Sequence, residues 1–306
     1  MHLPLRAEQT GRARSMLGGY ISAFPVLESV VAAWERGKKV RGHDPSGPTL
    51  HAIADAVTVM LSRQSAADEV LLRRESTRLF NDSKRLEKLG KWLDVLMNDD
   101  VASSGLMDAE VFSALGLLKE PQPFLISAAA TAHGDEISSP LFRPYQGLPM
   151  EAIRGFTFEV APRCVLSVEN KQTFHEIATL ATGSAVCAIY SGGMPSPAWH
   201  RVYASLLSAI PSSTVVYHFG DLDVGGFRIA HAIAQTAKVA GHTLQPWMMD
   251  PIEIQSIGRS LYPATELQLA EMKLWCQRIG WTSIGSNIAT APGLLEQEAV
   301  PPALPS

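Results

Sequence analysis

Cysteine is scarce in this chain. Its 306 residues hold three, Cys164, Cys187 and Cys276, widely spaced, odd in number and without a Cys-x-x-Cys pair. That leaves no basis for a disulfide framework or a thiolate zinc site. Cys164 and Cys187 fall in apolar runs, where reduced, buried thiols are the expected state, which suits a reducing compartment. Positive charge is also short: 26 Lys and Arg face 30 Asp and Glu, for a net charge of −4. An autonomous DNA binder held by phosphate contacts normally carries a basic excess, so nucleic-acid work here would belong inside a larger assembly. Long hydrophobic runs are missing too. No stretch approaches the ~18 apolar residues of a membrane helix, and the N-terminus lacks a signal-peptide core. The expectation is a soluble cytoplasmic protein with no membrane association.

The length exceeds the usual single-domain size, and the apolar content of 46% suffices for sizeable cores. Two domains are expected, 1–150 and 151–306. The first reads as mainly helical. Apolar spacing predicts helices over residues 21–34 and 50–61, separated by a basic turn and a proline-containing loop. Further on, Leu86, Leu89, Trp92, Leu93 and Leu96 line one helical face. Arg73, Arg74 and Arg78 lie just upstream and read either as a phosphate-contacting surface or as an ordinary solvated face. A strand over 124–128 after these helices suits a winged-helix-like module that binds DNA or a partner. Residues 131–155, rich in Gly, Pro and Ser, read as irregular, with Tyr145 as a turn residue.

From residue 164 the pattern becomes regular. Apolar runs over 164–168, 185–190 and 214–219 look like buried parallel strands, and a fourth over 243–248 contains Pro246 and reads as an edge strand. Helices are expected between them. One starts at a capping box, Thr173 to Glu176, one at Ser196-Pro197, and one runs from 227 to about 240. Strand and helix alternating with short links means an α/β fold with a parallel sheet flanked by helices. The chain ends in a helical stretch broken at Pro263, then Glu296-Gln297-Glu298 and a proline-rich tail read as loose.

The whole is organised around TVVYHFGDLDVGGF, residues 214–227. It leaves a strand and delivers Asp221 and Asp223, two residues apart and so able to converge on one point. Glu169 follows the earlier run CVLSV in the same way. Ligand sites in open α/β sheets gather at carboxyl strand ends, where Glu169, Ser191 to Gly193 and Asp221/Asp223 all fall. Carboxylates from neighbouring strand ends suit Mg²⁺ or Mn²⁺, hard cations that take oxygen ligands and serve phosphate chemistry.

With these residues assembled, the second half resembles a Toprim domain, whose acidic pattern is a glutamate after one strand and Asp-x-Asp after another. More narrowly, LFNDSKRL (79–86), SVENKQTF (167–174), YSGGMP (190–195), FGDLDVGG (219–226) and LEQEAV (295–300) resemble the JetD (MksG-like) family of Wadjet. That family is the nuclease subunit of condensin-like plasmid-defence systems and is similar to the topoisomerase VI A subunit. The resemblance implies a metal-dependent DNA endonuclease, dimeric, cutting double-stranded DNA presented by a condensin-like SMC motor complex. Glu169, Asp221 and Asp223 would form its acidic metal site, with Glu169 a ligand or a proton acceptor. The chain is shorter at its N-terminus than family members with an extra arm domain, and no counterpart of the topoisomerase tyrosine nucleophile is evident.

Around this site, Lys171, Ser191, Gly192, Gly193 and Arg228 are candidates for phosphate or DNA contacts. Each has a plainer reading as a helix-start lysine, a tight turn or an arginine paired with an acid. His200, His218 and His231 are candidates by proximity alone, and His218 reads as a core residue. Glu296 and Glu298 read either as an extension of the acidic site or as a helix-end charge pair. Two other functions remain: a non-catalytic Toprim-like scaffold for DNA or a motor complex, and a phosphatase with a nucleophilic aspartate, which has no use for Glu169.

Overall fold

The computed structural model describes residues 6–64 and 68–305, and the chain divides into two compact units, Met1–Pro121 and Gln122–Ser306. The division falls earlier than the boundary expected near residue 150.

The first unit is mainly helical: α1 (Arg6–Leu17), α2 (Val26–Glu35), α3 (Gly47–Arg63), α4 (Leu72–Phe80), α5 (Gly90–Asn98) and α6 (Asp108–Ala114). A two-residue parallel pair, β1 (Val70–Leu71) with β2 (Leu117–Leu118), ties the start of α4 to the end of the unit. Ser46 caps α3 by accepting the Thr49 N–H, and Pro48 sits in the first turn where no donor is needed. The stripe Leu86, Leu89, Trp92, Leu93 and Leu96 is buried as its spacing requires, but through a 3₁₀ turn over Leu86–Lys88 followed by α5 rather than one helix. Much of the upstream basic charge is engaged in ion pairs. Arg73 meets Glu87 at 3.3 Å, Arg78 meets Glu75 at 2.6 Å and Arg85 meets Asp55 at 2.6 Å.

The second unit is mixed α/β. Its strands are β3 (Pro123–Ser127), β4 (Thr131–His133), β5 (Ser138–Pro140), β6 (Gln146–Pro149), β7 (Gly155–Thr157), β8 (Cys164–Val168), β9 (Val186–Tyr190), β10 (Val215–Phe219) and β11 (Leu244–Pro246). Its helices are α7 (Lys171–Leu180), α8 (Pro197–Ser208), α9 (Val224–Val239), α10 (Pro251–Ser256), α11 (Glu266–Ile279) and α12 (Thr282–Thr290). The main sheet has the order β11-β10-β8-β9-β3-β6; the first four strands are parallel, and β3 and β6 are added antiparallel. The strand expected over 124–128 therefore belongs to this sheet. Residues 131–155, expected to be irregular, carry β4, β5 and β6 and run into β7, which completes the small antiparallel sheet β5-β4-β7. Pro246 lies on the edge strand, as its missing N–H dictates.

The core strands are apolar on both faces because helices cover both. Val165, Leu166 and Val168 are fully buried, as are Cys187, Ala188 and Ile189 beside them. The cysteines are free and buried; burial pushes the Cys187 and Cys276 thiols up to about 12, so they are inert thiols rather than nucleophiles. Register then sets the site. Val168 pairs with Phe219 on one side and with Tyr190 on the other. Glu169, Gly220 and Ser191 consequently leave three adjacent strands at the same carboxyl edge. No described helix is long and apolar enough to cross a membrane.

Candidate metal centre

Asp221 is delivered by the end of β10 and fixed from two directions. Its backbone N–H donates to Glu169 Oε2 at 3.3 Å, and its Oδ1 accepts the backbone N–H of Gln297 at 2.6 Å. Gln297 arrives because Leu222, buried at 2% exposure, forms an antiparallel bridge with Leu295: Leu222 N–H donates to Leu295 O at 2.8 Å, and Leu295 N–H donates back at 3.1 Å. The C-terminal segment is thus docked, not loose. It brings Glu296 and Glu298 to Asp221, and oxygen atoms of these three carboxylates all lie within 4.8 Å of one another.

Asp223 borders this group and has a task of its own. It is the N-cap of α9, its Oδ1 accepting the Gly226 N–H at 2.6 Å, so α9 begins at Val224 rather than at 227. Glu169 likewise borders the group, at the neighbouring strand end, with its own N–H donating to Phe219 O at 3.0 Å. Helix α7 begins at Lys171 and is capped by Asn170, which accepts the Thr173 N–H at 3.0 Å; the Thr-x-x-Glu box starting at Thr173 is not the cap.

Two glycines exist for close approach. A Cβ on Gly226 would lie 2.2 Å from Asp221 O, so the first turn of α9 packs directly on the Asp221 peptide. A Cβ on Gly220 would lie 2.6 Å from Glu169 Oε2 and 2.8 Å from His218 Nε2. His218 is fully buried. Ser167 Oγ donates to Tyr217 O at 3.1 Å and so accepts the His218 Nδ1–H at 2.9 Å, leaving Nε2 as a lone pair. That Nε2 has no hydrogen-bond partner and faces the same gap as the Glu169 carboxylate. His218 is a core histidine, as read, but one with an orphaned nitrogen beside the site.

Crowding of carboxylates shows in their protonation. Burial, together with the charges of Asp223, Glu296 and Glu298, pushes Asp221 up to about 7, against the opposing pull of the Gln297 N–H. Burial also raises Asp223, partly offset by the Gly226 and Gly225 amides. Tyr190 is raised by burial and by the charge of Glu169, so its phenol stays neutral.

The remaining candidates divide. Ser191 is buried and its Oγ donates to Val168 O at 3.3 Å; Gly192 and Gly193 have positive φ, 73° and 74°, which is the tight-turn reading. Lys171 is exposed at the start of α7. Arg228 is 9% exposed and its guanidinium stacks on the Trp275 ring at 4.6 Å. His231 also lies against Trp275, and His200 is half-buried with Nδ1 against Thr236, desolvation pushing it down to about 4. Tyr145 packs edge-on against Phe174 and His175, as a turn tyrosine would.

The donor set is three carboxylates with no sulfur or imidazole, which fits a hard divalent cation and not a soft one. Glu296 and Glu298 were the less visible part. Their signal is the Glu-x-Glu spacing, an echo of Asp-x-Asp, but only the Leu222–Leu295 bridge shows that the two motifs meet.

A family model described as the C-terminal part of Wadjet protein JetD matches residues 135–301, a span that includes every carboxylate above. A Wadjet protein JetD from Bacillus cereus (strain Q1) is 29% identical over 147 residues, 47% of this chain. The match covers 35% of that relative, so this chain corresponds to about a third of its length. The chain belongs to the JetD family of Wadjet proteins.

Proposed function

We propose that this protein is the DNA-cutting subunit of a Wadjet-type plasmid-defence system, a metal-dependent endonuclease with a Toprim-like acidic centre. The observation that carries the reading is the convergence of Asp221, Glu296 and Glu298 within 4.8 Å, next to Glu169 at the adjacent strand end. Asp221, Glu296 and Glu298 would hold Mg²⁺ or Mn²⁺, with Glu169 and Asp223 at the margin of the shell. The cation would neutralise charge on the scissile phosphate and on the departing oxygen.

The chain's own groups do the rest. Glu169 takes the proton of the attacking water as the new P–O bond forms, and the leaving oxygen is protonated from solvent. The peptide of Asp221 holds Glu169 Oε2 in place, and Gly220 leaves the room for it. The phenol of Tyr190 and the amides of Gly192 and Gly193 flank the phosphate path as neutral donors. With a net charge of −4, the protein has little long-range attraction for DNA, which fits cutting that depends on an SMC motor complex to present double-stranded DNA to a dimer.

The test uses closed-circular plasmid with Mg²⁺ or Mn²⁺, with the protein alone and with its motor complex, beside Glu169→Ala and Asp221→Asn. Metal-dependent nicking or linearisation that both variants lose supports the reading. Cutting that survives both substitutions would overturn the catalytic assignment. Silence in the complete complex would favour a DNA- or motor-binding scaffold.

A further inference from the structure

Beside the backbone bridges of Leu294 to Tyr262 and Leu295 to Leu222, one buried side chain ties down the part of the segment that carries Glu296 and Glu298. Gln297 is 1% exposed. Its Nε2 donates to Phe219 O at 2.7 Å, and its Oε1 accepts the Asn170 N–H at 2.6 Å. These partners are the last residue of β10 and the cap of α7, the two points beside which Asp221 and Glu169 emerge. Its backbone N–H reaches Asp221 Oδ1, and Asn170 Nδ2 donates to Glu298. Both glutamates are exposed on either side of it.

We propose that Gln297 is the positioning residue of the centre, holding Glu296 and Glu298 onto Asp221 so that docking of residues 294–300 and binding of a divalent cation are one coupled event. The proposal rests on the cation reading above. Three carboxylates within 4.8 Å repel one another and push the segment away from β10. The side-chain bonds of Gln297 go to backbone atoms that do not titrate, so they resist that repulsion at any pH. A bound cation turns the repulsion into attraction. By linkage, whatever tightens the segment tightens the cation by the same factor.

Glutamine is specific to the task, needing a donor at one branch and an acceptor at the other. Glutamate would set an anionic oxygen against Phe219 O, and methionine keeps the volume while losing both bonds.

The experiment compares the wild-type chain with Gln297→Met and, as a second variant of equal size, Gln297→Glu. It measures Mn²⁺ affinity by calorimetry and amide exchange of residues 294–300 with and without Mn²⁺, with circular dichroism as the control for folding. The expected result is Mn²⁺ affinity about tenfold weaker or more in both variants. Exchange at 295–300 should be faster without metal, protection by Mn²⁺ should be smaller than in the wild type, and the remaining amides should be unchanged. Wild-type Mn²⁺ affinity and exchange in both folded variants would overturn the role of Gln297 while leaving the cation reading intact. Mn²⁺ binding that does not slow exchange at 295–300 in the wild type would overturn the coupling. A wild-type chain that takes up no Mn²⁺ would overturn the cation reading, and this proposal with it.

Discussion

The backbone N–H of Gln297 donates to the Asp221 carboxylate at 2.6 Å, joining residues 76 apart in the chain. Together with the Leu222–Leu295 bridge, this bond registers the C-terminal segment against the end of β10 and brings Glu296 and Glu298 to Asp221. The consequences of that arrangement can be measured singly.

Asp221 and Asp223, two residues apart, do different work. Asp223→Ala removes the cap of α9 and should lower stability by about 0.5–2 kcal/mol, whereas Asp223→Asn keeps an acceptor for the Gly226 N–H and should stay close to wild type. Urea unfolding of the two variants decides it. Equal loss in both would mean that the charge, not the cap, is what α9 requires.

The raised carboxyl of Asp221 gives the metal-free protein an unusual pH dependence. The unfolded chain releases this proton near pH 4, but the fold holds it to about 7. Between those values the unfolded state binds fewer protons, so stability of the metal-free protein should fall as pH rises from about 4 to about 7 and then level. Cation binding needs the carboxylate, so the rise in melting temperature on adding Mn²⁺ should grow through the same window and flatten above it. A metal-induced gain that is independent of pH would count against Asp221 as a ligand.

His218 behaves in the opposite sense. Burial pushes its ring down to about 3, so it stays neutral in the fold while the unfolded ring protonates near 6.5. Its contribution to stability is full above about 6.5 and is lost as pH falls toward 3. Nitrogen NMR should show the Nδ1–H tautomer with no titration between pH 5 and 8. A ring that titrates near 6.5 would contradict the buried, Ser167-bonded placement.

The two close-approach glycines should fail differently. Gly226→Ala forces the start of α9 off the Asp221 peptide and should cost about 1–3 kcal/mol of stability, by the usual scale for overpacking. Gly220→Ala presses on the Glu169 carboxylate and on His218, so it should displace Glu169 and abolish cutting. Denaturation curves and the plasmid assay, run on both, separate the effects.

Much of this was legible in the sequence, for local reasons. The strands β8, β9 and β10 are continuous apolar runs, and Ser196-Pro197 and Gly241 are short-range signals that mark helix ends. Glu169, Asp221 and Asp223 could be placed at carboxyl strand ends because a parallel sheet aligns such ends. What was not legible depends on pairing across long separations. The join of β3 to β9 moved the boundary between the units, and no local pattern announces it. The docking of Leu295 on Leu222 is likewise invisible in either segment, and a tail rich in proline reads as loose until its partners are known. The buried Gln297 had no signal at all, because a glutamine between two glutamates looks solvent-facing.

The most direct test of the account is Mn²⁺ titration of the purified chain at pH 7.5, followed by calorimetry and electron paramagnetic resonance, beside Asp221→Asn and Glu298→Gln. The account predicts saturable binding by the wild type, lost in Asp221→Asn and weakened in Glu298→Gln, with both variants folded. Saturable binding that persists unchanged in Asp221→Asn, or its absence from the wild type, would contradict a cation centre at these residues.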